Sequence, residues 1–181
     1  MTAQAGRPAE IEALVASRLR DVHDFPKPGI LFKDITPLLA DPQAFGACID
    51  FFAGLPEARE ADLIAGVEAR GFMMAAALGR ALDSGMVPVR KAGKLPPPTV
   101  AARYDLEYGS AEIEVPVGVL EGKRVYVVDD LLATGGTLAA SLDLLATAGA
   151  TVTGVGVLVE LEFLNGRARL IDHALTALLR L

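Results

Sequence analysis

The chain has 181 residues with 52% apolar content, 17 Lys and Arg against 23 Asp and Glu, a formal charge of −6 and a single cysteine, Cys48. That length suits one domain with a sizeable core, spanning 1–181, and the apolar share is that of a folded protein. The acidic balance argues against non-specific nucleic-acid binding, one cysteine excludes an internal disulfide or a multi-cysteine metal site, and Arg80, Asp83, Lys91 or Glu160 break the apolar runs before the roughly 18 residues that a membrane span needs. The opening MTAQAGRPAEIEALV lacks the basic start and apolar stretch of a signal peptide, so a cytoplasmic location is expected. Ile11, Leu14, Val15, Leu19 and Val22 recur at helical spacing and predict an amphipathic helix that stops at the prolines and glycine of DFPKPG. GILFKDITPLL reads as a short extended piece and a turn. Asp41 and Pro42 then supply an N-cap and a first-turn proline for a helix to about Gly54.

From there the pattern alternates. Strands are predicted at 62–67, 86–91, 124–130 and 151–160, and helices at 71–85, 135–149 and near 161–170, before a terminal apolar LTALLRL. Strands apolar on both faces, alternating with helices, indicate an α/β fold with a mainly parallel sheet covered on both sides. Residues 92–118 interrupt this order. Three consecutive prolines, Pro96, Pro97 and Pro98, precede alternating stretches at 99–104 and 111–115 around Gly109 and Ser110. This predicts a two-stranded hairpin standing off the sheet, and an insertion of that length suits a movable lid.

The stretch RVYVVDDLLATGGTLAAS places Asp129 and Asp130 at the end of a buried strand, where like charges repel, and follows them with Ala133, Thr134, Gly135, Gly136 and Thr137. In an open parallel sheet, ligands bind beyond the carboxyl ends of the strands. Small residues let a phosphate approach the unpaired N–H groups at the start of the following helix, and the threonine hydroxyls add bonds. The spacing between carboxylates and loop fits a ribose 5-phosphate, with the acids on the ring hydroxyls. Arg90, Lys91, Lys94 and Arg103 crowd one span and offer a second anion site in an otherwise acidic protein.

VVDDLLATGGT closely resembles the phosphoribosyl-pyrophosphate motif of type I phosphoribosyltransferases. DFPKPGILFKDITPLL, GVEARGF, VRKAGKLPPPT, YDLEYG and LVELEFLNGR sharpen the resemblance to the adenine-specific members and cover the chain in family order from about Asp24 to Arg169. The resemblance implies the type I fold with a lid hairpin at about 92–118, a base-binding segment at about 24–40, and transfer of phosphoribose from phosphoribosyl pyrophosphate to N9 of adenine, giving AMP and pyrophosphate. It implies Mg²⁺ carried by the donor with no dedicated protein ligand, and a homodimer in which Arg90 approaches the partner's site. Glu68, Ala69 and Arg70, with Arg90, Lys91 and Lys94, would face the pyrophosphate, and the Glu68–Ala69 peptide would be cis. Phe32 would stack on adenine, backbone groups at Leu31 and Lys33 would read its Watson–Crick edge, and Leu131 would form the opposite wall. Glu107 on the lid would be the catalytic carboxylate at N7, with Tyr104 and Tyr108 packing the lid.

Pro97 stands where the family usually has glycine, and Arg103 adds a charge to the lid. Cys48, His23, His173, Met73 and Met74 carry no motif spacing and read as structural residues. A ligand-sensing regulator on the same fold would need a DNA-binding region, which one short N-terminal helix does not supply. A 6-oxopurine transferase is disfavoured by GILFKD and LEYG.

Overall fold

The computed structural model describes residues 8–106 and 109–181. Helix α1 (Pro8–Arg18) buries Ile11 and Val15. It ends sooner than its spacing predicts, because Arg20–His23 forms a strand, β1, paired antiparallel with β2 (Leu31–Asp34), Val22 opposite Phe32. Two ion pairs fasten this ribbon, Arg20 to Asp34 at 2.6 Å and Lys33 to Asp21 at 2.7 Å. Cross-strand pairing of this kind overrides the helical spacing of Leu19 and Val22.

The short α2 (Thr36–Ala40) leads into α3 (Pro42–Gly54), whose cap is the one expected. Asp41 Oδ1 accepts from the amides of Gln43 and Ala44 at 3.0 and 3.1 Å, and Oδ2 accepts from Arg18 Nε at 2.7 Å, tying α1 to α3. The Arg18 guanidinium first, and the helix amides after it, hold the Asp41 carboxyl below its ordinary 3.8. A depressed carboxyl contributes stability that is complete above 3.8 and lost as pH falls through the lower folded-state value. Asp41→Ala is therefore expected to lower the melting temperature by a few degrees at neutral pH. Melting curves of parent and variant should converge as the pH is taken below that range; a constant gap would deny the charge its role.

After α4 (Pro56–Arg59) come β3 (Leu63–Val67), α5 (Gly71–Ala81), β4 (Gly85–Lys91), β5 (Thr99–Leu106), β6 (Gly109–Pro116), β7 (Arg124–Leu132), α6 (Gly136–Thr147), β8 (Thr151–Glu160) and β9 (Leu175–Arg180). They form a seven-stranded sheet in the order β5-β6-β4-β3-β7-β8-β9. The run from β4 to β9 is parallel, and β6 and β5 add an antiparallel edge. Side chains alternate along β7. Tyr126 and Val128 enter a cluster with Phe52, Met74 and Leu78 from α3 and α5, while Val125 and Val127 enter one with Leu138, Leu142 and Leu145 from α6. This is the mainly parallel α/β fold that the apolar strands predict.

Three expectations need correction. The hairpin does not stand off the sheet: Arg90 pairs with Glu114 and Lys91 with Ile113, so β6 continues it from β4. Gly109 and Ser110 are not the turn, since they pair with Leu106 and Asp105; residues 107–108 lie outside the described residues. Nor is 161–170 a single helix. Two 3₁₀ turns, Glu162–Leu164 and Gly166–Leu170, are separated by Asn165 in the left-handed region (φ 51°), and LTALLR forms edge strand β9. Among the described residues no helix is long and apolar enough to cross a membrane.

Candidate active site

The connections leaving β3 and β7, adjacent parallel strands, converge beyond their carboxyl ends. They enclose a cavity of about 250 Å³ lined by Glu68, Ala69 and Arg70 from the first and by residues 129–138 from the second. Asp129, Asp130, Leu131, Ala133, Thr134, Gly135, Gly136 and Thr137, all singled out from sequence, thus share one site. The Glu68–Ala69 peptide is cis. Glu68 also fastens its loop to β4. Its amide donates to the Val89 carbonyl at 2.9 Å, and its Oε2 accepts from the Lys91 amide at 2.8 Å.

The acid pair is held in place at the cavity wall. Asp129 Oδ1 accepts from the Asp130 amide at 2.9 Å. Asp130 is 4% exposed, and its Oδ2 makes no hydrogen bond, although Arg70 Nε stands 3.0 Å away as an ion-pair partner. Burial raises both carboxyls above the ordinary carboxylate value. The neighbouring Asp130 charge adds to the rise at Asp129, while Arg70 opposes it at Asp130. Asp130 Oδ2 is closed off from solvent and faces the Arg70 guanidinium, while both aspartates line the cavity wall.

Opposite the acids, Gly135 takes φ +80° and turns the chain into α6. Only glycine adopts that conformation at no cost, and the turn leaves the first amides of α6 without helical partners. The result is a concave, anion-seeking loop. The β5–β6 hairpin touches it directly: the hydroxyls of Tyr104 on β5 and Thr137 share a hydrogen bond at 3.2 Å.

A second cavity of about 380 Å³ adjoins, lined by Arg20, Val22, Phe25, Phe32, Asp34, Thr36 and Arg70. Phe25 packs edge-on to Phe32 at 5.1 Å, and the Arg70 guanidinium lies 5.0 Å from the Phe32 ring centre. Arg70 is the side chain common to both cavities. Asp34 is pinned by the Thr36 hydroxyl at 2.6 Å and amide at 2.8 Å, and by Arg20; the Thr36 bonds are the main reason its carboxyl lies low. Leu31 and Lys33 flank Phe32 on β2 but do not line the cavity, and the Lys33 ammonium is turned to Asp21.

Arg90, Lys91 and Lys94 are not among the residues lining either cavity. Arg90 pairs with Glu68 at 3.4 Å and donates from Nη1 to the Lys94 carbonyl at 2.8 Å. Glu114 on β6 accepts from the amides of Lys94 and Leu95, both at 2.7 Å, and so fixes the turn after β4 to β6. Glu107 and Tyr108 lie outside the described residues. Sequence reasoning missed Phe25, Arg20, Asp34 and Thr36. The signal lay in DFPKPGILFKDITPLL, whose periodicity shows neither the β1–β2 pairing nor what it encloses.

The family model of the phosphoribosyl transferase domain matches residues 34–173. The adenine phosphoribosyltransferase of Streptomyces coelicolor is 57% identical over 164 residues, 90% of each chain. The chain belongs to the adenine phosphoribosyltransferase family. Among other adenine phosphoribosyltransferases, that of Thermobifida fusca is 51% identical over 93% of this chain and 97% of its own. The crystal structure of the Thermoanaerobacter pseudethanolicus enzyme superposes with a TM-score of 0.89 at 45% identity, covering 97% of this chain and 100% of that one. The Saccharomyces cerevisiae enzyme, solved with adenine and an imino-altritol bisphosphate bound, gives 0.88 at 38% identity, covering 94% and 99%.

Proposed function

We propose that the chain transfers the 5-phosphoribosyl group from phosphoribosyl pyrophosphate to N9 of adenine, giving AMP and pyrophosphate. One observation carries this reading: the acid pair at the end of β7 and a small-residue loop at a helix N-terminus share a cavity that meets an aromatic pocket at Arg70. Asp129 and Asp130 take the ribose hydroxyls. Ala133, Thr134, Gly135, Gly136 and Thr137 take the 5′-phosphate. Glu68, Ala69 and Arg70 face the pyrophosphate, and Arg90, Lys91 and Lys94, at the end of β4 and in the turn after it, supply further cations to that edge.

Phe32 stacks on adenine, backbone groups of Leu31 and Lys33 read its Watson–Crick edge, and Leu131 forms the facing wall. Adenine presents a donor at N6 and an acceptor at N1, the reverse of a 6-oxopurine, so a site that bonds one pattern leaves buried polar groups unpaired with the other. As N9 attacks the anomeric carbon, the bond to pyrophosphate breaks and negative charge grows on the departing group, where Arg70 stabilises it. Glu107 accepts the proton that leaves N7, so that the transferred base ends neutral. The hairpin, bonded to α6 through Tyr104, excludes water that would otherwise hydrolyse the donor.

Magnesium fits this donor set as a companion of the substrate. Glu68, Asp129 and Asp130 line the cavity that would take the donor, and a cation arriving with the pyrophosphate would meet their carboxylates there. When bound, it would neutralise charge on the leaving group. We also place the enzyme in the cytoplasm as a homodimer. The exposed Met73 and Met86 support a self-interface, Met73 lying at the surface although the sequence reads it as structural. Adding adenine to enzyme, donor and magnesium should release pyrophosphate in step with AMP. AMP without pyrophosphate, or neither product, would contradict the reading.

A further inference from the structure

The phosphate loop is made of residues with almost no side chain to hold it in place, so something else must fix the spacing of its amides. The segment after β8 does this. Gly166 packs its backbone against the loop so closely that a methyl group there would collide with the Ala133 carbonyl oxygen and come within 2.9 Å of the Gly135 nitrogen. Reciprocally, a side-chain carbon on Gly135 would lie 2.5 Å from the Gly166 carbonyl oxygen. The next residue is an anchor. Arg167 Nε donates to Glu160 Oε1 at 2.9 Å and Nη2 to Oε2 at 2.5 Å, while Nη1 donates to the Leu175 carbonyl at 3.0 Å. One side chain thereby ties the 166–170 turn to β8 and β9.

Glu160 is 4% exposed and also faces Arg180 at 3.6 Å, so its buried charge is compensated. It sits opposite Leu132 in the β7–β8 ladder, and the Leu161 amide donates to the Leu132 carbonyl at 2.9 Å. The brace therefore grips the chain immediately before the loop, at Leu132, and within it, at Ala133 and Gly135.

We propose that Glu160, Gly166 and Arg167 are positioning residues for the 5′-phosphate, holding the Ala133–Gly135 backbone in its anion-binding shape without touching the substrate. This rests on the reading that the loop takes that phosphate. A brace that served folding alone would affect all ligands alike; one that shapes the loop affects only those with a 5′-phosphate. The test titrates parent, Gly166→Ala and Arg167→Lys with AMP and with adenosine, and records melting temperatures. Lysine keeps the charge but loses the two-pronged contact.

The parent should prefer AMP; if it does not, the phosphate reading fails and the proposal with it. Given that preference, Gly166→Ala should weaken AMP by about tenfold or more and adenosine by less than about twofold, with Arg167→Lys shifting the same ratio in the same direction. Should Gly166→Ala not fold, Arg167→Lys decides alone. An unchanged AMP-to-adenosine ratio in a folded variant, or equal weakening of both ligands with a lower melting temperature, overturns the positioning role while leaving the phosphate reading intact.

Discussion

Glu107→Leu is expected to lose AMP synthesis by at least about a hundredfold while binding the donor normally. Attack by N9 leaves the purine ring with positive character, and a carboxyl group at N7 relieves it by sharing or accepting a proton. Leucine matches glutamate in size but has no proton to exchange. The flanking strands are secured independently of residue 107. Leu106 pairs with Gly109, β6 is paired to β4, and Tyr104 is bonded to Thr137 on α6, so the substitution leaves the fold intact. Because the interaction belongs to the transition state, the loss should fall on kcat and spare donor affinity. Turnover within a few-fold of the parent would show that the hairpin only covers the site.

Removing either charge of the acid pair should weaken the donor by about 1–3 kcal/mol, the scale of a lost charged hydrogen bond. The two variants separate function from stability. Burial raises the Asp129 carboxyl above 3.8, so its ionisation opposes folding. That cost is absent below the unfolded value, grows as pH rises through the folded one, and is full above it. Asp129→Asn is accordingly expected to bind the donor less tightly yet melt higher at neutral pH, with the melting advantage gone in acid. Asp130→Asn should weaken the donor without that clean gain, since it strips Arg70 of its ion-pair partner. Calorimetric titration with donor and melting scans across pH check both; an unchanged donor affinity in either variant would remove the pair from ribose binding.

The β7–loop–α6 unit was legible because everything that defines it is local. An apolar run ends at two adjacent acids, small residues follow, and α6 begins within the same short stretch. Asp41 and Pro42 announced α3 in the same way. Features decided by distant partners were not legible. Arg20–His23 continues a helical spacing, and only its pairing with Leu31–Asp34 makes it a strand. The hairpin's alternation was visible, but its attachment depends on Arg90 meeting Glu114. The turns at 162–170 look helical until Asn165 adopts a left-handed conformation, next to Gly166 packed on the Ala133–Gly135 backbone.

The site divides along the same line. Asp129, Asp130 and the loop follow from chemistry at a strand end, and GVEARG contributes Arg70 from the adjacent strand. That Arg70 belongs to two cavities at once, and that Glu160 and Arg167 anchor the turn behind the loop, follows only from three-dimensional contact.

The central claim is that the pocket around Phe32 selects adenine for transfer at the acid-and-phosphate site. Incubating the enzyme with phosphoribosyl pyrophosphate, Mg²⁺ and adenine, hypoxanthine or guanine in turn, and identifying the nucleotide by chromatography, tests it directly. Adenine should give AMP, with no comparable formation of IMP or GMP from the other two bases. A 6-oxopurine nucleotide formed as fast as AMP, or no AMP at all, would contradict it.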